Sequence, residues 1–195
     1  MDGELHARAA ASFGAQACAY AEHRPDYPAA VIHWALEQLG RQRSLVVLDL
    51  GAGTGKLTAG LLGAGAEPIA VEPDTEMRGE LIARHPEVTT IAGTAESIPP
   101  PKPGDHLPEH PLFLDFERAE FPHAHRRTAE SLTTTIGTHS HTLVITAPER
   151  AELLGRILDY PRSRPETADG EFDVPLVTDV IRAVRRAETP VSQRE

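Results

Sequence analysis

The fold is decided by one stretch of the chain, Leu45-Val46-Val47-Leu48-Asp49-Leu50-Gly51-Ala52-Gly53-Thr54-Gly55-Lys56. Its first half is a near-continuous apolar run, which predicts a strand buried on both faces of a parallel sheet. Three glycines at alternate positions follow, and the residues from Leu57 to Leu62 have the apolar spacing of a helix. A strand, a glycine turn and a helix in this order predict half of a βαβ unit, with a site for a nucleoside-type ligand at the turn.

The spacing of the glycines separates three kinds of nucleotide loop. A P-loop needs four residues between its first glycine and a Gly-Lys pair that precedes Ser or Thr. Here three residues separate Gly51 from Gly55, and Leu57 follows Lys56, so a P-loop is excluded. A dinucleotide fingerprint requires G-x-G-x-x-G, and the G-x-G-x-G found here disfavours a nicotinamide or flavin oxidoreductase. The third kind has one acidic residue just before the glycines, here Asp49, and another that closes the next strand.

That second acidic residue is Glu72, at the end of a strand predicted for Pro68-Ile69-Ala70-Val71-Glu72-Pro73. A carboxylate at this edge of an open α/β sheet can accept hydrogen bonds from both ribose hydroxyls of a nucleoside. With residues 49–55 as motif I and 71–74 as motif II, the sequence resembles the class I S-adenosylmethionine-dependent methyltransferases, in particular a bacterial type 11-like subgroup. The resemblance implies an α/β, Rossmann-like doubly wound sheet, S-adenosylmethionine as cofactor and a small-molecule methyl acceptor.

The resemblance also implies a set of cofactor-binding residues but no catalytic base. The set comprises Asp49, Gly51, Ala52, Gly53, Gly55, Glu72, Pro73, Met77, Ala95, Glu96, Tyr20 and Arg24. Several members have a plainer interpretation as well. Met77 has the spacing of a core residue, and Glu96 suits the start of a helix on dipole grounds alone. Arg24 could pair with the cofactor carboxylate while Tyr20 or Tyr27 donates a hydroxyl, or Arg24 could be solvated and the tyrosines packed.

The organisation of the chain is predicted from its residues together with this resemblance. We predict a single domain over 1–195, with an N-terminal helical lid (1–43), a cofactor-binding βαβ half (44–98), a proline-rich linker (99–108) and C-terminal strands and helices (109–195). Helices are expected over 5–23, from Val31 to Gly40, after Asp74, after Thr128 and from Pro148. The Asp74 helix should place Met77, Leu81 and Ile82 on one face. Further strands are expected over 88–92 and 112–121. The resemblance implies a last strand over 172–184, beside the one near Phe116, although periodicity alone would also permit a helix in its second half.

A segment that methyltransferases normally have is missing after residue 99. Residues 98–108 contain five prolines, and no Asp-led apolar strand follows. The chain therefore resembles a methyltransferase shortened by an internal deletion, with fewer central strands than usual. Such a sheet would leave the first strand with an open edge. We expect a rearranged sheet or a strand-sharing homodimer, and an S-adenosylmethionine- or S-adenosylhomocysteine-binding protein without transferase activity is the alternative function.

Composition narrows the class of protein further. The formal net charge of −10 argues against a nucleic-acid or acidic-membrane surface, and no apolar run approaches a membrane span. A single cysteine, Cys18, excludes an internal disulfide, and the first residues lack the features of a signal peptide, so a cytoplasmic location is expected. Two histidine pairs, at 123 and 125 and at 139 and 141, would each face one side of a strand. No metal is expected, because cysteine ligands and zinc-binding motifs are lacking, and a base or substrate-facing role for one histidine stays open.

Overall fold

The computed structural model describes residues 17–39, 45–94, 113–168 and 170–186. Its strands are β1 (Val46–Leu50), β2 (Glu67–Val71), β3 (Thr89–Ile91), β4 (Glu117–Arg127) and β5 (Phe172–Arg182). Its α-helices are α1 (Ala17–His23), α2 (Ala29–Leu36), α3 (Lys56–Gly63), α4 (Thr75–Arg84), α5 (Ala129–Gly137), α6 (Ser140–Leu143) and α7 (Ala147–Arg162), with a 3₁₀ turn at Glu37–Leu39. The chain is therefore α/β, and the predicted order of strand, turn and helix around the glycines is confirmed.

The N-terminal half forms a parallel sheet in the order β1-β2-β3. Val47 pairs with Pro68 and Asp49 with Ala70, so these four residues share one face. Helices α3 and α4 cover that face, since Leu61 packs in a cluster with Val47, and Leu81 packs against Ala70. All three parallel strands thus end at the edge where the glycine turn begins.

The opposite face of this sheet contradicts the expectation that β1 is buried on both sides. Its side chains Val46, Leu48, Leu50 and Ile91 are 59%, 56%, 44% and 48% exposed. The apolar run of β1 has the composition of a strand covered twice, but the described helices that pack on the sheet cover only the face with Val47. The sequence pattern indicated the strand correctly but did not indicate that the side chains of its second face are exposed.

Helix α4 shows both a confirmed cap and a wrong face assignment. Asp74 caps the helix as predicted, because its Oδ1 accepts hydrogen bonds from the backbone N–H groups of Glu76 and Met77 at 3.0 and 2.9 Å. Met77 and Leu81 are buried, whereas Ile82 is 48% exposed. Ile82 follows Leu81 by one residue, so the helical turn of about 100° carries its side chain away from the core.

The C-terminal half contains a separate antiparallel ribbon of β4 and β5, with eleven register pairs from Glu117–Arg182 to Arg127–Phe172. The predicted pairing of the last strand with the one near Phe116 is confirmed, but β4 runs over 117–127 rather than 112–121. The pattern underestimated β4 because Pro122 lies inside it. A two-stranded ribbon tolerates proline, since the outer edge of each strand needs no ladder donor.

The other C-terminal expectations are mixed. Thr128 caps α5 as predicted, with its hydroxyl oxygen accepting a hydrogen bond from Ser131 N at 3.1 Å, and Pro148 lies in the first turn of α7.

His123 and His125 share one face of β4. His139 and His141 do not lie on a strand but at the junction of α5 and α6, with ring centroids 5.5 Å apart. The proline-rich segment falls within 95–112, outside the described residues.

Arg182 joins the ribbon to helix α2. Its guanidinium lies 4.0 Å from the ring centroid of Trp34, donates to the Trp34 carbonyl, and contacts the carboxylates of Glu37 and Glu117 at 2.9 and 2.6 Å. Trp34 also meets the ring of Phe121 edge-on, with centroids 6.1 Å apart. Arg182 thus holds the ribbon against helix α2.

We expect Arg182→Ala to loosen the ribbon and move the emission of Trp34, the single tryptophan, to longer wavelength. The reason is that removing the guanidinium exposes the indole face to water. Arg126→Ala is the control, because within the described residues Arg126 makes only exposed ion pairs, at 3.4 Å to Glu171 and to Asp173. An emission spectrum equally shifted in both variants, or unchanged in Arg182→Ala, would contradict this role of Arg182.

Candidate functional site

The glycine turn lies at the carboxyl edge of the parallel sheet, between β1 and α3. Gly51, Gly53 and Gly55 have φ of +71°, +58° and +88°, a region that side chains other than glycine rarely adopt. A Cβ at Gly51 or Gly53 would meet no atom within 4 Å, so this side of the turn borders open space. At Gly55 a Cβ would lie 3.0 Å from His85 and 3.1 Å from Leu81. Gly51 and Gly53 therefore leave room for a ligand, whereas Gly55 allows close packing on α4.

Glu72 lies at the tip of β2, beside the glycine turn, and is only 7% exposed. Its Oε2 accepts a hydrogen bond from Gly53 N at 2.8 Å, and its Oε1 accepts one from Asp74 N at 2.8 Å. A carboxylate has about four acceptor positions, so two remain for further donors. The two predicted motifs thus meet in one place, and the carboxylate is oriented by two backbone bonds.

Asp49 lies at the end of β1, beneath the turn, and is 4% exposed. Its Oδ2 accepts a hydrogen bond from the Thr58 hydroxyl at 2.6 Å, which ties the strand to the first turn of α3. Burial raises the pKa of the Asp49 carboxyl above its usual range, and the hydrogen bonds from Thr58 partly oppose that rise. Asp49 therefore holds the turn in shape from below.

This geometry predicts a pH-dependent effect of Thr58→Val. A carboxyl with a raised folded pKa costs stability while it is charged, and the cost disappears as the pH falls toward the ordinary value near 3.8. Loss of the hydroxyl should destabilise the fold by about 1.5–3 kcal/mol at pH 7.5 and by less at pH 4, because the raised pKa of Asp49 increasingly favours the neutral carboxyl as the pH falls toward the ordinary value. Urea unfolding at both pH values measures the difference. Thr90→Val is the control, because the one hydrogen bond of the Thr90 hydroxyl among the described residues is to the Val88 carbonyl, at 3.3 Å.

The segment between α1 and α2 closes over the first turn of α3. Lys56, which follows the glycines, pairs with Asp26 at 2.8 Å. Arg24 lies 4.9 Å from the ring centroid of Tyr20 and donates from Nε to the Thr138 hydroxyl at 3.1 Å. These contacts bring the predicted lid residues Tyr20 and Arg24 to the same edge of the sheet as the glycine turn.

A cavity of about 230 Å³ lies between this segment and the C-terminal ribbon. Its polar lining comprises Tyr20, Arg24, Asp26, Tyr27, Lys56, His123 and Thr178. Partial burial raises the pKa of the Tyr27 phenol, and the neighbouring Tyr20 and Asp49 raise it further while Arg24 lowers it, so the Tyr27 hydroxyl remains protonated at neutral pH. A second cavity, of about 450 Å³, lies between α2, β1 and β5 and is mainly apolar.

The remaining predicted site residues fall into three groups. Pro73 is exposed beside Glu72, and its carbonyl accepts a hydrogen bond from Arg78 at 3.1 Å. Met77 is buried on α4, as the packing interpretation requires, and contact with a ligand stays a prediction. Ala95 and Glu96 lie outside the described residues, so their predicted adenine contacts stay predictions as well.

The sequence patterns did not predict two features of the site. The Lys56–Asp26 ion pair joins residues thirty positions apart, and only the position of Lys56 next to the glycines hinted at it. The Thr54 hydroxyl is buried within the turn and has no hydrogen-bond partner among the described residues. A buried donor without a partner at a turn that borders open space suits a site that a polar ligand completes.

The residues of the described ranges contain no group of three or more His, Cys, Asp or Glu side chains placed to hold a metal ion. In the same part of the chain no helix is both long and apolar enough to cross a membrane. The groups at the turn that can contact a ligand are backbone N–H donors, the oriented carboxylate of Glu72 and the polar side chains of the segment between α1 and α2.

Part of the chain is similar in sequence to proteins named as methyltransferases. An uncharacterized methyltransferase of Mycobacterium tuberculosis is 47% identical over 88 residues, which are 45% of this chain and 35% of the relative. One from Schizosaccharomyces pombe is 36% identical over 81 residues, which are 41% of this chain and 32% of the relative. These relatives are methyltransferases by name. No family model matches the chain.

The match to these methyltransferases is partial, because the chain spans about a third of the length of the curated relatives. A solved structure from Anaeromyxobacter dehalogenans, described as a candidate type II methyltransferase, covers 83% of this chain and 97% of its own length with a TM-score of 0.57. Its sequence is 21% identical, so the likeness concerns the fold. The chain thus shares an α/β fold with a methyltransferase structure and part of its sequence with methyltransferases.

Proposed function

We propose that the glycine turn and Glu72 bind S-adenosylmethionine and that the protein is a class I methyltransferase acting on a small-molecule acceptor. The observation that carries the proposal is the 2.8 Å hydrogen bond between Gly53 N and Glu72 Oε2. It brings the two sequence motifs together at the carboxyl edge of a parallel sheet, where open α/β folds bind nucleosides. The methyltransferase relatives support the same function.

The residues of the turn fit an adenosyl ligand on three counts. Gly51 and Gly53 leave open space on one side of the backbone, Glu72 keeps two acceptor positions, and the buried Thr54 hydroxyl has no partner in the described chain. We assign the ribose hydroxyls to Glu72 and the amino-acid end of the ligand to the segment with Tyr20 and Arg24. When bound, S-adenosylmethionine supplies a sulfonium methyl group that a nucleophile can accept.

The chain's own contribution to such a reaction is alignment. Methyl transfer from a sulfonium disperses charge instead of creating it, so a strong oxyanion site is unnecessary. Fixing two reactants in line can lower the barrier by about 7–11 kcal/mol. The ion pair between Lys56 and Asp26 and the contact of Arg24 with Thr138 hold the lid segment over the site, which keeps the bound groups in place and limits access of water.

A binding protein without transferase activity is the second candidate function. The cavity of about 450 Å³ beside β1 favours this second function. The lining of the cavity is mainly aliphatic, and Asp49, the buried carboxylate in that lining, is already bonded to Thr58 and is therefore not free to act as a base. Such a protein would keep the adenosyl site and respond to S-adenosylmethionine or S-adenosylhomocysteine without turnover.

Calorimetric titration with S-adenosylmethionine, S-adenosylhomocysteine and NAD tests the binding half of the proposal. We expect the first two to bind and NAD not to bind. Incorporation of labelled methyl groups into a panel of small acceptors then separates the enzyme from the binding protein. Binding of NAD alone, or of none of the three, would contradict the proposed cofactor.

A further inference from the structure

The two cavities beside the segment between α1 and α2 adjoin each other. The polar cavity of about 230 Å³ and the apolar cavity of about 450 Å³ share two lining residues, Tyr27 and Thr178. Aliphatic side chains of α2, α3 and β5 line the apolar cavity, among them Ile32, Leu57 and Val180. A molecule that spans both cavities therefore contacts an apolar wall at one end and polar groups at the other.

His123 lines the polar cavity, and one hydrogen bond fixes which of its ring nitrogens carries a proton. Its Nδ1 lies 3.1 Å from the carbonyl oxygen of Phe121. A carbonyl oxygen can only accept a hydrogen bond, so Nδ1 is the donor, and in the neutral ring Nε2 carries the lone pair. Nε2 has no hydrogen-bond partner among the described residues. It is therefore available to accept a proton from a molecule in the cavity.

Two carboxylates beside the cavities are already engaged. Asp26 forms the ion pair with Lys56 at 2.8 Å, and Asp49 accepts the hydrogen bond from Thr58 at 2.6 Å. Arg24 adds a positive charge to the lining of the polar cavity. A neighbouring positive charge favours the ionised form of a hydroxyl group, so it assists the loss of the hydroxyl proton. The polar cavity thus combines a base with a charge that favours deprotonation of a bound hydroxyl.

We propose that the two cavities together bind the methyl acceptor, that this acceptor is an apolar molecule with one hydroxyl group, and that Nε2 of His123 takes the hydroxyl proton. In this step the O–H bond breaks, its electron pair stays on oxygen, and an N–H bond forms at Nε2. The oxygen becomes the nucleophile that methyl transfer needs. Tyr20 and Arg24 line the same cavity, so the base lies beside the residues assigned to the amino-acid end of S-adenosylmethionine. The acceptor role rests on the proposed function, whereas binding and proton transfer do not.

Binding of 2-naphthol to the full chain tests the site without a cofactor, because this probe has an apolar body and one hydroxyl group. We expect 2-methoxynaphthalene, which lacks the hydroxyl proton, to bind about tenfold more weakly. Ala35→Phe should weaken binding of 2-naphthol at least about tenfold, since the new ring fills the apolar cavity that Ala35 lines. His33→Phe is the matched control, because His33 is exposed on the same helix, and it should leave binding unchanged.

The emission of bound 2-naphthol tests the base. An excited naphthol is a much stronger acid than the ground state, and it emits at longer wavelength once it has lost its proton. We expect naphtholate emission from the complex with the wild type and mainly naphthol emission from the complex with His123→Gln. His125→Gln is the matched control, because His125 lies on the same face of β4 but is not among the described residues that line the cavity. It should keep the naphtholate emission.

Four results would each overturn the proposal. They are no binding of 2-naphthol, equal affinities for the two naphthalenes, undiminished binding by Ala35→Phe, and naphtholate emission that is absent from the wild type or survives in His123→Gln. Neither measurement uses S-adenosylmethionine. A failure of that ligand to bind would contradict the proposed function and would leave these results as they are.

Discussion

Gly53→Val should abolish binding of S-adenosylhomocysteine, with a loss of at least about 100-fold, while the protein stays folded. Gly53 has φ of +58°, and a Cβ built there meets no atom within 4 Å. The valine side chain would therefore project into the space that we assign to the ligand. The same change costs about 1–2 kcal/mol of stability, because β-branched residues rarely adopt this backbone region.

Gly65→Val separates the two effects. Gly65 has φ of +80° and open surroundings like those of Gly53, but it lies between α3 and β2, at the other end of the strand. We expect a similar loss of stability in thermal unfolding and no loss of binding in calorimetry. Equal loss of binding in both variants, or full binding by Gly53→Val, would contradict the position of the site.

Glu72→Ala should weaken S-adenosylhomocysteine binding about 100-fold, because hydrogen bonds to a charged group contribute about 1.5–3 kcal/mol each. It should also destabilise the fold by about 1–3 kcal/mol, since Gly53 N and Asp74 N lose their acceptor. Calorimetry gives the first quantity and urea unfolding the second.

Glu76→Ala is the control for the loss of a carboxylate near the site. Glu76 is exposed in the first turn of α4, four residues after Glu72. The Glu76→Ala variant should bind S-adenosylhomocysteine as tightly as the wild type does. If Glu76→Ala weakened binding as much as Glu72→Ala, the effect would come from general electrostatics and not from a ribose contact.

The sequence was sufficient to predict the part of the fold that local patterns specify. The strand before Gly51, the cap at Asp74 and the strand before Glu72 each depend on neighbours within a few residues, and all three are confirmed. Packing between distant elements was not predictable in the same way. The stacking of Arg182 on Trp34 joins residues 148 positions apart, and no local pattern encodes it.

The burial of β1 shows most clearly what the sequence could not predict. Its apolar composition is that of a strand covered on both faces, yet Leu48 is 56% exposed. Composition records how much apolar surface a strand offers but not which element or subunit covers it. The same distinction between local patterns and distant contacts applies to the site. The meeting of the glycine turn with Glu72 was predictable, whereas the ion pair of Lys56 with Asp26 was not.

The most direct test of the central claim is the coupling between Glu72 and the ribose hydroxyls. Calorimetry should compare adenosine with 2′,3′-dideoxyadenosine, for the wild type and for Glu72→Ala. We predict that the wild type prefers adenosine about 100-fold and that Glu72→Ala has no preference. Equal affinities of the wild type for the two nucleosides, or a preference that survives in Glu72→Ala, would contradict a ribose contact at Glu72.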